Sequence, residues 1–161
     1  KMEKTTIIQQ LGLLPHPEGG YYVETYRSTE KVNTLRGERT AGTLIYFLLE
    51  SENFSAFHRL QSDEAWYFHA GTTSAVHIIH PDGQLEVKRI GPSGPPTEQW
   101  QVMIPAGSWF AAEVLQPDSF LLVSCSVSPG FEFSEFELAH RDQLIEQFPQ
   151  HQTLIHRLCR Q

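Results

Sequence analysis

The chain has 161 residues, a length typical of one domain and sufficient to bury a hydrophobic core without a disulfide or a structural metal. Hydrophobic residues make up 40% of the sequence and charged residues 19%, which indicates a folded globular protein rather than a disordered one. The formal net charge of −7 disfavours nucleic acid and anionic membrane surfaces as partners, because both would repel an acidic protein.

The first predicted element is a short amphipathic helix over residues 5–14, where apolar residues recur at helical spacing. We expect this helix to act as a lid or a cap. Gly19 and Gly20 then predict a turn with positive φ or a close backbone approach. The aromatic and β-branched residues that follow, as far as Arg27, predict a strand.

Eight further strands are predicted from apolar runs that are separated by Pro, Gly, Asp and Ser turns. They cover residues 43–49, 54–60, 65–69, 73–80, 85–90, 100–104, 109–114 and 120–127. Short strands at regular intervals with no helix between them predict an all-β sandwich or barrel, and they exclude a β-α-β sheet. After Gly130 the apolar spacing becomes helical, which predicts one or two C-terminal helices interrupted at Pro149.

The two cysteines, Cys125 and Cys159, have neither the density of a disulfide scaffold nor the spacing of a zinc site. No apolar stretch approaches the ~18 residues of a membrane span, and residues 1–10 lack the apolar segment of a signal peptide. We therefore expect a cytoplasmic protein in a reducing compartment, with no membrane partner.

Two segments carry parts of a known pair of motifs. His58, Glu64 and Gly71 have the spacing of the first cupin motif, and residues 105–107 keep the Pro-x-Gly of the second motif. Leu60 stands where the second histidine of the first motif is expected, and Phe110 stands at the histidine of the second motif. The sequence therefore resembles the cupin superfamily of small jelly-roll barrels, with half of the signature retained.

The resemblance extends to one group of cupins over almost the whole chain. Residues 16–28, 54–59, 63–66, 105–109 and 128–131 are similar to short single-domain cupins of uncharacterised function, the cupin-5 type. The resemblance implies one jelly-roll domain over residues 1–161, with a short N-terminal helix and one or two C-terminal helices. It implies no particular reaction, because one fold hosts many chemistries.

Side-chain alternation along the strands predicts a site inside this barrel. If His58 points inward, Phe54, Ala56 and Leu60 share its face, and Glu64 shares a face with Trp66 and Phe68 on the next strand. We expect an aromatic-walled pocket in which the Glu64 carboxylate raises the basicity of the His58 imidazole, as a general base requires.

The same resemblance implies a second catalytic group. Some metal-independent cupins, such as the deoxyhexose-nucleotide epimerases, abstract a proton with a histidine and use a tyrosine as the acid. Tyr22, Tyr26 and Tyr46 are the candidates for that tyrosine, and Tyr22 is taken with His58 and Glu64 as the catalytic set. The alternative is that His58 and Glu64 are a buried structural pair.

We expect no bound metal and no other cofactor, because leucine and phenylalanine at two of the four motif positions cannot coordinate a metal ion. The N-terminal segment is predicted either to cross the barrel mouth and contact a ligand or to form structural ion pairs at a subunit edge. The candidate ligand contacts are Glu18, Glu24, Tyr26, Tyr46, Trp66, Phe68, Trp109 and Phe110, of which Trp66, Trp109 and Phe110 are alternatively core residues.

These expectations favour a protein that binds a small polar organic molecule, sugar- or nucleotide-like, as a metal-independent isomerase or epimerase. Two alternatives remain open, namely a non-catalytic ligand-binding or storage cupin and a metal-dependent oxygenase with an atypical ligand set. An exposed edge at the N-terminal strand also predicts a homodimer, because an open sheet edge favours pairing between identical chains.

Overall fold

The computed structural model describes residues 3–161, and antiparallel strands dominate this part of the chain. The first strands are β1 (Leu14–Pro15), β2 (Tyr21–Arg27), β3 (Lys31–Thr34), β4 (Gly37–Thr40), β5 (Thr43–Glu50), β6 (Phe54–Arg59) and β7 (Asp63–Gly71). The later strands are β8 (Ser74–Ile79), β9 (Leu85–Ile90), β10 (Gln101–Ile104), β11 (Trp109–Val114), β12 (Phe120–Ser128) and β13 (Glu137–Leu138). The α-helices are α1 (Lys4–Leu11), α2 (Arg141–Gln147) and α3 (Gln152–Arg157), and short 3-10 helices cover Phe133–Glu135 and Pro149–His151.

Two sheets face each other across one apolar core. A six-stranded sheet has the order β1-β2-β5-β12-β7-β10, and a five-stranded sheet has the order β13-β6-β11-β8-β9. Phe47, Trp66 and Val123 from the first sheet pack against Ile78 and Phe110 from the second. The jelly-roll class is confirmed, and so are the eight strands predicted between residues 43 and 127.

The helices cover the outer faces of the two sheets. Ile7 of α1 packs with Leu48 and Leu122 on the outside of the six-stranded sheet, and Gly12 ends the helix in the left-handed conformation, with φ 66°. The helix is thus a cap on the sheet exterior and not a lid over the cavity described below. The predicted break at Pro149 is confirmed, and α2 and α3 pack against the five-stranded sheet. Among residues 3–161, each helix is too short or too polar to cross a membrane.

The hairpin β3–β4 lies outside the predicted elements. Most of its side chains are exposed and polar, so its sequence shows no alternation of apolar and polar residues. The Arg36 and Arg39 guanidinium groups both bond the Glu135 carboxylate, at 2.5 and 3.2 Å. The hairpin is thereby tied to the segment between β12 and β13, which contributes to the cavity.

A β-bulge in β6 determines which side chains reach the barrel interior. Phe110 of β11 pairs with His58 of β6, and Ala112 pairs with Ser55. The one residue of β11 between Phe110 and Ala112 therefore lies opposite two residues of β6, which is a β-bulge. Ser55 consequently lies on the same side of the strand as His58. The prediction that Phe54 shares the interior face with His58 is wrong, since Phe54 packs in the cluster beneath the C-terminal helices.

Candidate functional site

A cavity of about 220 Å³ lies between β2, β5, β6, β7 and β12, beside the segment 131–136. Its lining residues are His16, Glu18, Tyr22, Glu24, Arg27, Thr43, Ile45, His58, Leu60, Glu64, Cys125, Val127, Phe131, Glu132, Phe133 and Phe136. A second, more open groove along β9 and β10 has a larger volume than this cavity, about 730 Å³, but none of the predicted site residues lines it. The enclosed cavity is therefore the candidate site.

Glu18 is the carboxylate at the centre of the polar contacts in this cavity. Its Oε2 accepts a hydrogen bond from the Ser55 hydroxyl and lies 3.0 Å from His58 Nδ1, and its Oε1 lies 3.1 Å from His16 Nδ1. Burial raises the pKa of Glu18, but the charges of His58 and His16 outweigh burial, so the pKa lies below its ordinary value. Glu18 is therefore ionised at neutral pH.

Two glycines bring Glu18 against β6. Gly19 has φ 110° and Gly20 has φ 82°, conformations in which a side chain would be strained. A Cβ at Gly19 would collide with the Phe54 carbonyl oxygen, and the Ala56 N–H donates to the Glu18 carbonyl at 2.8 Å. The positive φ and the close approach that were predicted for this turn are confirmed, and they place Glu18 within reach of His58.

The hydrogen bonds of His58 identify its tautomer. His58 Nδ1 lies 2.7 Å from the Ala56 carbonyl oxygen and 3.0 Å from Glu18 Oε2, and both of these atoms accept hydrogen bonds. The assigned tautomer therefore carries its proton on Nδ1, and the lone pair of the neutral ring is on Nε2. Burial lowers the pKa of His58, but the charge and hydrogen bond of Glu18 outweigh burial and raise it.

Glu64 was predicted to hold the His58 ring, and the structure corrects this. Glu64 Oε2 instead accepts a hydrogen bond from the Trp66 indole N–H at 2.7 Å, and the Glu64 side chain has no ion-pair partner within residues 3–161. Glu64 is 7% exposed, and burial raises its pKa to about 7. The charge of His58 lowers this pKa and the charge of Glu18 raises it, but burial is the largest influence. The buried thiol of Cys125 is its other polar neighbour, and burial holds the pKa of that thiol well above its ordinary value.

Arg27 closes the polar side of the cavity mouth. Its Nη2 donates to Glu24 Oε1 at 2.8 Å and to the Phe131 carbonyl at 2.9 Å, and its Nη1 donates to Glu132 at 3.3 Å. Glu18, Glu24 and Arg27 of the N-terminal segment line the cavity, and Arg27 forms ion pairs within the chain. Contact of this segment with a ligand and its position at a subunit edge stay predictions.

Five aromatic side chains surround the cavity and are called the aromatic rim below: His16, Tyr22, Phe131, Phe133 and Phe136. The rings of His16 and Tyr22 meet edge to face at 4.7 Å between centroids, and those of Phe131 and Phe133 do so at 4.8 Å. Phe136 also lies 5.5 Å from the His58 ring, so the rim extends down to the polar groups.

The structure brings five of the predicted site residues together in the cavity. They are Glu18, Tyr22, Glu24, His58 and Glu64. Trp66, Phe68 and Phe110 lie behind the cavity in the barrel core instead of lining it. The Phe110 ring is nevertheless close to the site, at 4.0 Å between its centroid and that of His58.

The other three predicted contacts lie away from the cavity. Tyr26 is 55% exposed, because a register shift between Glu24 and Tyr26 interrupts the alternation of β2. Tyr46 packs with α1 on the outer face of the six-stranded sheet. Trp109 packs beneath the C-terminal helices on the outside of the five-stranded sheet, and Arg59 lies 4.4 Å above its ring.

Several residues that line the cavity carry no strand pattern in the sequence. His16 and the three rim phenylalanines lie outside regular strands or at their ends, where strand alternation does not apply. The only available signal was the recurrence of phenylalanine at positions 131, 133 and 136 after a Pro-Gly turn. Phe131, which directly follows that turn, lines the cavity.

The cavity does not fit the metal ion that intact cupin motifs hold. Leu60 and Phe110 offer no donor atom at two of the four motif positions, and the Phe110 ring packs directly against His58. Within residues 3–161, no three side chains of His, Cys, Asp or Glu are grouped so that they could hold a metal ion. This donor set disfavours the metal-dependent oxygenase alternative, while the absence of a bound metal stays a prediction.

A jelly-roll barrel whose interior carries the His and Glu of the first cupin motif is a cupin. The family model of Cupin_5, described as cupin superfamily (DUF985), matches residues 5–139. The uncharacterized protein YML079W of Saccharomyces cerevisiae is 31% identical over 144 residues, which is 80% of this chain and 71% of the yeast protein. The chain belongs to the Cupin_5 family.

Solved structures show the same relationship. Protein SO0799 from Shewanella oneidensis is 38% identical with a TM-score of 0.91 and covers 99% of both chains. A hypothetical protein from Leishmania major is 37% identical with a TM-score of 0.93, covering 99% of this chain and 100% of the other. Oxalate decarboxylase from Bacillus subtilis shares the fold alone, with 14% identity and a TM-score of 0.57 over 89% of this chain and 36% of that one.

Proposed function

We propose that this cupin binds a small polar organic molecule in the cavity and catalyses a metal-independent proton transfer on it, as an isomerase or epimerase. The geometry of His58 is the observation that supports this proposal. A buried carboxylate and a carbonyl oxygen hold its Nδ1 proton, so the neutral ring has its lone pair on Nε2, in a residue that lines the cavity. A general base requires this fixed tautomer and this raised basicity.

The reaction begins at a carbon next to a carbonyl group of the ligand. His58 Nε2 takes the proton from that carbon, and the electron pair of the broken C–H bond moves to the carbonyl oxygen. The Tyr22 hydroxyl donates its proton to this oxygen, and Glu18 stabilises the imidazolium through Nδ1. Transfer of the proton from His58 Nε2 to the former carbonyl carbon gives the isomer, and the Tyr22 phenolate recovers a proton from the hydroxyl group of the first carbon, which becomes the new carbonyl. For the epimer, a solvent proton adds to the opposite face of the first carbon, His58 releases its proton to solvent, and Tyr22 recovers its proton from the enol oxygen.

The cavity limits the size of the reacting molecule. A volume of about 220 Å³ corresponds to about seven water molecules at roughly 30 Å³ each, which suits a ligand with a single ring or a short chain. The aromatic rim supplies apolar faces for such a ligand, and His58 and Glu64 supply its polar contacts. Larger groups, such as the nucleotide of a nucleotide sugar, would extend past Arg27 at the mouth.

Deuterium exchange in D₂O tests the proposed proton transfer. We expect the protein to exchange carbon-bound protons of small hydroxycarbonyl probes, namely glyceraldehyde, dihydroxyacetone and fructose, and NMR measures the loss of the C–H signals. His58→Gln should lower the exchange rate about 100-fold or more, because it removes the base. His80→Gln is the matched control, since His80 bonds Glu86 outside the cavity and its replacement should leave the rate unchanged. Equal rates in wild type and His58→Gln would contradict the proposal, and ligand binding without exchange would favour the non-catalytic alternative.

We also propose that two copies of the chain form a homodimer through the outer face of the six-stranded sheet, beyond α1. The residues of this uncharged face are Tyr26, Leu44, Tyr67, Met103, Ser124 and Ser126. Tyr67 and Met103 are 36% and 50% exposed, and the Tyr67 hydroxyl bonds the Ser126 hydroxyl at 3.0 Å. Two chains of net charge −7 repel each other, so a face without Lys, Arg, Asp or Glu side chains suits a second copy.

The mass of the protein in solution tests this proposed interface. We expect light scattering to give the mass of a dimer for the wild type and of a monomer for Tyr67→Glu, because the symmetric contact would bury two like charges. Val87→Glu is the control, since Val87 is 49% exposed on β9, outside this face, and the variant should remain dimeric. A wild-type monomer mass at all concentrations would refute the homodimer.

A further inference from the structure

Glu64 is a buried carboxylate without a charged partner. Glu18, in the same cavity, has two histidines and the Ser55 hydroxyl around it. Glu64 hydrogen-bonds only the Trp66 indole N–H and the Cys125 thiol, which are both uncharged. The charge of His58 on β6 also acts on Glu64, but His58 forms its ion pair with Glu18 and not with Glu64. Taking an ion out of water costs several kcal/mol unless a counter-charge compensates, and Glu64 is 93% buried. A ligand is the group that can supply this counter-charge, because Glu64 lines the cavity.

The remaining charges of the cavity favour a positively charged ligand over a negative one. Within residues 3–161, Arg27 is the one lysine or arginine that lines the cavity, and its N–H groups already bond Glu24, Glu132 and the Phe131 carbonyl. The charge of the one lysine or arginine in the described lining is thus already compensated by two carboxylates, which disfavours a carboxylate or phosphate ligand. The positive charge of protonated His58 is compensated by Glu18, which its Nδ1 contacts.

The aromatic rim points to the same class of ligand. The negative faces of aromatic rings attract ammonium and related cations when those cations are removed from water. Tyr22, Phe131, Phe133 and Phe136 surround the cavity that Glu64 lines. Aromatic faces and a carboxylate without a partner are together the groups that bind protonated amines in proteins.

We propose that the ligand of this cavity carries a protonated nitrogen, an ammonium or amidinium group, which pairs with the Glu64 carboxylate inside the aromatic rim. This inference rests on the proposed function, because it assumes that the ligand binds in the cavity. It adds the charge class of that ligand and assigns Glu64 as the residue that selects it. Neutral molecules of the same shape bind more weakly, and anions bind most weakly.

Three probes of the same shape and different charge test the inference on the full chain at pH 8. They are benzylammonium, benzyl alcohol and benzoate, and the NMR resonance of the Trp66 indole N–H, assigned with Trp66→Phe, reports binding next to Glu64. We expect benzylammonium to bind at least tenfold more tightly than benzyl alcohol, or about 1.4 kcal/mol, with benzoate the weakest of the three. In Glu64→Gln the preference for benzylammonium should disappear while the affinity for benzyl alcohol stays within about twofold.

Glu86→Gln is the matched control, because Glu86 lies on β9 and contacts His80, outside the cavity. It removes the same charge and should keep the preference for benzylammonium. Equal affinities of benzylammonium and benzyl alcohol in the wild type, or an unchanged preference in Glu64→Gln, would overturn the inference and leave the cavity itself supported as a ligand site. A Trp66 resonance that none of the probes shifts would overturn the cavity as the binding site as well. The deuterium-exchange test of His58 is independent, since Glu64→Gln removes no contact between His58 and Glu18.

Discussion

Glu64→Gln is expected to become more stable relative to the wild type as the pH rises, by about 3 kcal/mol between pH 4 and pH 8. Burial raises the pKa of Glu64 from 4.5 to about 7, so the folded state holds a proton that the unfolded state releases in this interval. The stability that this group contributes is fully present below pH 4.5 and is lost as the pH rises toward 7. Each pKa unit corresponds to about 1.4 kcal/mol, which gives the stated magnitude.

Urea denaturation of both proteins across this pH range measures the difference directly, because other groups titrate similarly in both and largely cancel. The variant keeps an acceptor for the Trp66 N–H in its amide oxygen, so the packing around Trp66 is retained. Glu86→Gln, an exposed carboxylate outside the cavity, should differ from the wild type by less than about 0.5 kcal/mol at every pH. Parallel stability curves for Glu64→Gln and the wild type would mean that Glu64 ionises with an ordinary pKa.

The strands of the barrel were predictable because each one alternates or forms a continuous apolar run between turns. β5, β8 and β12 are buried over most of their length, and such runs are bounded by Pro, Gly or Asp residues that the sequence displays. The hairpin β3–β4 carries no such signal, because Lys31, Asn33, Glu38 and Arg39 leave it polar on both faces. Its position depends on Arg36 and Arg39 meeting Glu135, a contact between residues almost 100 positions apart.

The hydrogen bonds between the side chains of the site could not be predicted from the sequence, for a different reason. His58 and Glu64 are six positions apart on consecutive strands and were expected to interact, but β6 and β7 belong to different sheets. The bulge in β6 instead brings Ser55 beside His58 and toward the turn that carries Glu18. A bulge shifts every later residue to the opposite face, and no residue type in β6 indicates it. The candidates His58, Glu64 and Glu18 were therefore identified, while the bonds between them required the structure.

The contacts of the aromatic rim could not be predicted from the sequence either, because three of its residues lie in a loop segment. Phe131, Phe133 and Phe136 follow the last long strand, in a segment after Gly130 to which the sequence assigns no strand and no cavity contact. Arg27 holds this segment over the cavity through the Phe131 carbonyl and Glu132. Hydrogen bonds between a strand and a distant loop leave no periodic signal in the sequence, so the ligand contacts in such loops are the part of a site that sequence patterns miss.

Glu18→Ala is expected to cause the largest loss of stability among the cavity variants, about 3 to 5 kcal/mol at neutral pH. Removing one partner of a buried ion pair leaves the other charge uncompensated, and here it also removes the acceptor for the Ser55 hydroxyl. Glu18→Gln keeps the shape and an acceptor for His58 Nδ1 but removes the charge. We expect it to lower the pKa of His58 from above 6.5 to below that value, because burial then remains as the main influence.

NMR titration of the His58 ring and urea denaturation measure the two effects, and Glu24→Gln is the control for both. Glu24 lines the same cavity, but it is partly exposed and bonds Arg27, so its replacement should cost less than about 1 kcal/mol and leave the pKa of His58 unchanged. An unchanged His58 pKa in Glu18→Gln would mean that Glu18 does not set the basicity of the imidazole. Because the proposed proton transfer depends on that basicity, Glu18→Gln should also shift the pH dependence of deuterium exchange toward lower pH, in step with the pKa of His58.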